Sequence, residues 1–176
     1  MPDAPIHSLA RGKFLELVTA NGWEFVHRIR GRTPVAIAAL TPENNVLLIS
    51  QYRAPLNALC IEIPAGLVGD HSEHESWQQA AARELLEETG WSASSFELLC
   101  HGPTSAGLTS EQIMLVRARE LVKVGPAAGD GSEQITLHEI PLADAHAWLD
   151  DHARRNIPID PKVYAALYFL SRPAPR

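Results

Sequence analysis

The sequence predicts an α/β fold in which helices pack on a mixed β-sheet. Segments rich in β-branched and aromatic residues outnumber those with a helical apolar period, and short runs of turn-forming residues join most of them. Size is the third observation. At 176 residues the chain has room for one domain, able to bury roughly 70% of its unfolded surface. With 45% apolar and 20% charged residues it has the composition of a folded globular protein, not of a disordered or low-complexity one.

Near the start, 23–30, 35–40 and 46–52 read as strands. Gly31 and Pro34 punctuate the first pair and Thr41-Pro42-Glu43-Asn44-Asn45 the second, so hairpins are expected between them. Leu59 to Ile63 is a further strand, closed by Pro64-Ala65-Gly66. The period then changes. Ser72 to Thr89 reads as a helix, with Ser72 three residues before Glu75 as a capping box. Trp77, Ala80, Ala81, Leu85 and Leu86 recur as its apolar stripe, and Gly90 is its left-handed stop. Strands follow at 96–100, 113–121 and 135–140, with a glycine-rich loop, 125–132, before the last. Leu142 to Arg154 reads as a helix, and Asp160-Pro161 opens a closing helix to Leu170 whose apolar run from Val163 is its core face.

Fifteen Lys and Arg against 21 Asp and Glu give a net charge of −6. No basic run or stripe interrupts this balance, so binding to nucleic acid through a phosphate-neutralising face is not expected. The longest apolar run, 163–170, falls short of the roughly 18 residues of a membrane span. Met1 to Lys13 lacks an apolar segment after a basic start, so the cytoplasm is the expected compartment. Cys60 and Cys100 lie outside any metal-binding or redox pattern and read as reduced core thiols.

Glu84, Glu87 and Glu88 stand at i, i+3 and i+4, on one side of the predicted helix. Such charges repel by some tenths of a kcal/mol per pair unless a cation lies among them. Oxygen ligands suit a hard divalent ion, with magnesium foremost. A solvated acidic face is the alternative when these three are taken alone. Arg83, at i, i+4 to Glu87, is placed to hold that carboxylate in orientation.

Gly69, Glu75 and the run Arg83-Glu84-Leu85-Leu86-Glu87-Glu88-Thr89-Gly90-Trp91 together resemble the Nudix box, G-x5-E-x7-R-E-U-x-E-E-x-G-U with U apolar, at every fixed position. Chance would produce this match on the order of once in ten million chains of this length. Trp91 is bulkier than the usual last residue. The resemblance implies an α/β/α sandwich with a mixed sheet and a loop-helix-loop motif that hydrolyses nucleoside diphosphate derivatives with magnesium, or manganese in its place. It also implies that Glu84 and Glu88 are the main metal ligands and catalytic carboxylates, with Glu87 contributing. Glu75 has either a metal contact or the capping role.

Gln51-Tyr52-Arg53 followed by Ile61-Glu62-Ile63-Pro64-Ala65-Gly66 is similar to the ADP-ribose (ADP-sugar) pyrophosphatase branch of the superfamily. There the carbonyl at Ala65 would be a metal ligand, and Arg53 would contact substrate phosphate; a turn and a surface salt bridge are the plainer readings. Gly12-Lys13-Phe14 and Trp23-Glu24-Phe25-Val26-His27-Arg28 resemble that branch's nucleotide-recognition segments. Phe14 and Trp23 would sandwich adenine, Glu24 would accept from its amino group, and Arg28 would contact the rest of the substrate. An aromatic on a strand can equally be core or interface. In the family these aromatics come from two subunits, so a homodimer is expected. The chain then reads as a single domain, 1–176, with residues 1–32 for dimerisation and base recognition.

Ser105-Ala106-Gly107 is similar to the branch's Ser-Pro-Gly loop, with Ala106 where proline often marks ADP-ribose specificity. Glu111 is either a substrate or metal contact or a strand-edge charge. The general base in such members comes from a late loop, and Gly129-Asp130-Gly131-Ser132-Glu133 occupies that place, with Glu133 first and Asp130 second. Hydrolysis of ADP-ribose or an ADP-sugar to AMP and sugar phosphate is the expected activity. Hydrolysis of another nucleotide sugar such as GDP-mannose, and a non-catalytic ADP-ribose-binding module, are the alternatives.

Overall fold

The computed structural model describes residues 5–29, 33–70, 72–127 and 134–172. Along them run β1 (His7–Arg11), β2 (Leu15–Ala20), β3 (Trp23–Arg28), β4 (Pro34–Ala38), β5 (Asn45–Arg53), β6 (Ala58–Glu62), β7 (Ala65–Leu67), α1 (Trp77–Thr89), β8 (Trp91–Ser92), β9 (Ser95–Pro103), β10 (Gln112–Arg119), β11 (Val122–Lys123), β12 (Ile135–Pro141), α2 (Ala145–Arg154) and α3 (Pro161–Leu170). A 3-10 turn, Ala54–Leu56, joins β5 to β6.

β4 organises the molecule. It pairs in parallel with β10 and antiparallel with β7, in a sheet ordered β7-β4-β10-β9. A second sheet, β12-β5-β6, is antiparallel throughout. Successive side chains of a strand point to opposite faces, and β4 is apolar on both. Val35, Ile37 and Ala39 pack with Ala80, Ala81 and Leu85 of α1, whereas Ala36 and Ala38 pack with Leu149 of α2 and Val163, Ala166 and Leu167 of α3. A strand buried on both faces needs helices on both sides, and the α/β/α sandwich with its mixed sheet is the result. In α3 the buried residues recur at i, i+3, i+4 and i+7 while Tyr164 and Tyr168 stay exposed, as the core-face reading expects.

Several expectations are corrected. The hairpin between 23–30 and 35–40 does not form, because β3 pairs with β2 while β4 pairs with β7 and β10. Strands β4 and β5 belong to different sheets, and the hairpin expected between them is confined to the turn, where Leu40 bridges Val46 antiparallel, the Thr41 amide donates to the Asn45 carbonyl at 2.8 Å and the Leu47 amide to the Ala39 carbonyl at 3.1 Å. The first long helix begins at Trp77, not Ser72. Ser76 caps it, accepting from the Gln79 amide while the Gln79 side chain accepts from the Ser76 amide. Leu86 falls outside the stripe and is 40% exposed. Cys60 is buried, but Cys100 is exposed, since β9 is the edge of its sheet. Gly90 does end α1 in the left-handed region, at φ 71°. Trp91 fits the inner core, and its indole N–H donates to Glu139 at 3.2 Å.

β1, β2 and β3 form a separate sheet, attached to the loop before β10. The Val26 amide donates to the Leu108 carbonyl at 2.8 Å and the Ser110 amide to the Val26 carbonyl at 3.1 Å. This seam brings the end of β3 to the start of β10.

A pH-sensitive contact lies on the α2 side. His138 Nε2 is 2.9 Å from Ser50 Oγ, its ring is 5.1 Å from that of Trp148, and Trp148 stacks at 3.7 Å on His152. Burial, aided by the nearby His152, lowers the His138 pKa from its ordinary 6.5. The unfolded chain therefore takes up this proton before the folded one does, so the stabilisation is complete above 6.5 and is lost as pH falls through the lowered value. The melting temperature is expected to drop between about pH 7 and pH 5, with a shallower drop in His138→Gln. An unchanged slope in that variant would assign the pH response to other groups.

Candidate active site

The site grows from a loop, a strand end and one helix. Gly69 adopts φ 84°, open to glycine at little cost, and its amide donates to Glu75 Oε2 at 2.9 Å. Glu75 Oε1 accepts from Arg83 Nε at 3.0 Å. Glu75 thus ties the loop to α1 through Arg83. This corrects its expected capping role: the carboxylate is engaged elsewhere, so Ser76 and Gln79 supply the cap.

Arg83 is shared among the carboxylates. Its Nη1 donates to Glu84 at 2.7 Å and to Glu87 at 3.2 Å, and Nη2 reaches the Leu67 carbonyl at 3.3 Å. The i, i+4 contact with Glu87 is therefore present, joined by contacts to Glu75 and Glu84. Glu84 lies against the backbone of β7, so closely that a Cβ on Gly66 would be 1.8 Å from its Oε1. Glu88 is buried and accepts from the Ala65 amide at 3.0 Å. Burial raises the Glu84 pKa; Arg83 opposes the rise, while Glu87 and Asp70 add to it.

These groups border a cleft of about 580 Å³ whose lining also includes Arg28, Arg53, Glu62 and Glu111. Arg53 grips Glu62 with two bonds of 2.6 Å, and Arg28 Nε donates to Glu111 at 2.7 Å. Cys60 borders the same cleft; burial, with the negative charge of Glu62, raises its thiol to about 11. It stays protonated at neutral pH and is not a nucleophile.

The structure thus gathers Glu84, Glu87, Glu88, Ala65, Arg53, Arg28 and Glu111 around one cavity. Phe14, Trp23 and Glu24 are not in that lining. Trp23 instead walls a second depression with Phe25, Ala106 and Gly107. Trp23 pairs with Ala20 at one end of the β2–β3 hairpin, while Phe14 precedes Leu15 at the other. At the usual strand rise their backbones are about 20 Å apart, so the two rings of one chain do not face each other across a base. Glu133 and Asp130 lie outside the described residues. Glu62 was not singled out from the sequence. A carboxylate within the apolar strand Leu59 to Ile63 was the available signal, since a charge buried there requires a partner.

Among the described residues no three carboxylate, imidazole or thiol groups stand as an assembled metal cage. Glu84 and Glu87 are turned onto Arg83, and Glu88 onto an amide. The donor set nevertheless fits a hard cation. It offers oxygen ligands only, and crowded carboxylates on one helix face share a single guanidinium, with the charge on Glu84 disfavoured by burial.

A three-layer sandwich with this loop-helix-loop is the architecture of a Nudix domain. The NUDIX domain model matches residues 31–163, and the chain belongs to that family, whose hydrolases use divalent metal ions. Among its relatives, it is 37% identical over 124 residues to a methanol dehydrogenase activator of Bacillus methanolicus, covering 70% of this chain and 65% of that protein. It is 35% identical over 112 residues to an ADP-ribose pyrophosphatase of Bacillus subtilis, covering 63% and 59%. The chain thus spans less than two thirds of the length of these relatives. The solved structure of an ADP compounds hydrolase superposes with a TM-score of 0.70 at 24% identity, over 96% of this chain and 90% of that one, which shows the shared fold.

Proposed function

We propose that this chain hydrolyses the pyrophosphate bond of ADP-ribose or a related ADP-sugar with magnesium, releasing AMP and sugar phosphate. One observation carries the reading: α1 lays Glu84, Glu87 and Glu88 along a cleft that also presents Arg28 and Arg53. Anionic ligands for a cation and guanidinium donors for phosphate are both needed to hold a diphosphate. The name of the B. subtilis relative supports the same substrate class.

Glu84 and Glu88 would hold the metal, with Glu87 and the Ala65 carbonyl completing the set. When bound, the metal neutralises phosphate charge and acidifies water. Arg53 and Arg28 orient the diphosphate by sharing the donors they now direct at Glu62 and Glu111. Arg83 keeps Glu84 and Glu87 in register with β7. Glu133 is the proposed base that takes the proton from the attacking water. The new P–O bond comes from that water, and the bridging oxygen leaves with the other phosphate.

Phe14 and Trp23 recognise adenine in this reading only across a homodimer, since one chain holds them at opposite ends of a hairpin. Leu15 and Leu17 of β2 remain exposed, an apolar face that a second copy would cover. The N-terminal sheet is the proposed dimerisation segment, and light scattering at twice the monomer mass is the expected result.

The purified protein with magnesium is expected to release AMP from ADP-ribose and ADP-glucose, and EDTA to abolish the release; manganese is expected to substitute. Turnover confined to GDP-mannose would replace the substrate assignment. Saturable ADP-ribose binding without turnover would replace the enzyme with a binding module.

A further inference from the structure

Asp160 and Lys162 border the cleft that Arg28 and Glu111 also line, where α3 begins beside the outer edge of β6. Their backbone is fixed as an extension of that sheet. The Ile61 amide donates to the Pro158 carbonyl and the Asp160 amide to the Ile61 carbonyl, each at 2.9 Å, and Ile61 bridges Ile159 in parallel. Asp160 Oδ1 caps α3 by accepting from the Lys162 amide at 2.8 Å, and Oδ2 pairs with Lys162 Nζ.

The cap explains Asp160 as a helix start but leaves Lys162 without a local reason. A cation in the first turn opposes the helix dipole, and among the described residues its charge partner is the cap itself. Lys162 nevertheless lines a cleft that we read as a diphosphate site. An ammonium there suits an anionic phosphate, while the Asp160 carboxylate suits the hydroxyls of a sugar. Leu56, 53% exposed on the same lining, offers an apolar surface to the C–H face of a sugar ring.

We propose that Asp160 and Lys162 form the subsite for the sugar-phosphate half of the substrate, with Lys162 a specificity-determining residue. This rests on the ADP-sugar reading of the cleft. The products separate the two halves, so the test is product inhibition of ADP-ribose hydrolysis by ribose 5-phosphate and by AMP. Lys162→Met is expected to weaken ribose 5-phosphate inhibition and raise the KM for ADP-ribose about tenfold, the worth of one charge-assisted hydrogen bond. Inhibition by AMP stays at the wild-type level. Lys162→Arg is expected to restore most of the loss, which a merely structural role would not predict, and Lys162→Gln serves if the methionine variant folds poorly. Unchanged inhibition by ribose 5-phosphate, or equal weakening for both products, overturns the subsite. Wild-type protein that fails to turn over ADP-ribose overturns the activity reading and the subsite with it.

Discussion

Glu88→Gln is expected to lower kcat about a thousandfold, several kcal/mol of transition-state stabilisation, while the melting temperature stays within about 4 °C of wild type. Glutamine has the shape of glutamate, and its carbonyl oxygen can still accept from the Ala65 amide, which Glu88 now does at 3.0 Å. What it loses is the negative charge. For stability that loss is partly favourable, because like charges at i, i+4 on one helix repel by some tenths of a kcal/mol. For catalysis it removes a proposed metal ligand. Paired kinetics and thermal melts check the split; a variant that is chiefly unfolded would make Glu88 a structural residue and remove the basis for the catalytic assignment.

Gly66→Ala tests the same site from the opposite strand. The added Cβ would meet Glu84 Oε1 at 1.8 Å, Cδ at 2.0 Å and Cγ at 2.6 Å. Each of these atoms belongs to a side chain that can rotate away. The backbone of β7 can therefore stay paired with β4, and the fold is expected to survive with a cost of about 1–2 kcal/mol. Glu84 cannot keep its place against β7. A fall in turnover of at least about a hundredfold is expected, with weaker magnesium binding, so that more metal is needed for half-maximal rate. Wild-type turnover in this variant would show that the carboxylate position against Gly66 is not used in the reaction.

The parts of this site that the sequence discloses are those built from neighbours along the chain. Glu84, Glu87 and Glu88 share a helix face because 3.6 residues make a turn, and the Gly69 to Trp91 spacing needs no partner from elsewhere. The same locality explains the left-handed end at Gly90 and the Asp160 cap of α3. Local rules become ambiguous where two solutions fit. Ser72 with Glu75 and Ser76 with Gln79 both match a capping box, and the decision falls to Arg83, which occupies Glu75 from eight residues away. The sequence gives little sign of the short strands β1 and β2, because their polar and exposed apolar residues carry little alternation of burial.

By itself, the sequence determined the family's carboxylate helix, the order of most strands and the apolar stripes that put helices on both faces of the sheet. Each follows from backbone periodicity acting over a few residues. Only the tertiary structure decided that Arg28 meets Glu111 across 83 residues, that Arg53 is held by Glu62, that Phe14 and Trp23 part along one hairpin, and that Lys162 borders the cleft. Those pairings depend on which strands become neighbours. That choice is made by the whole core burying its apolar surface at once, and no short stretch of chain contains it.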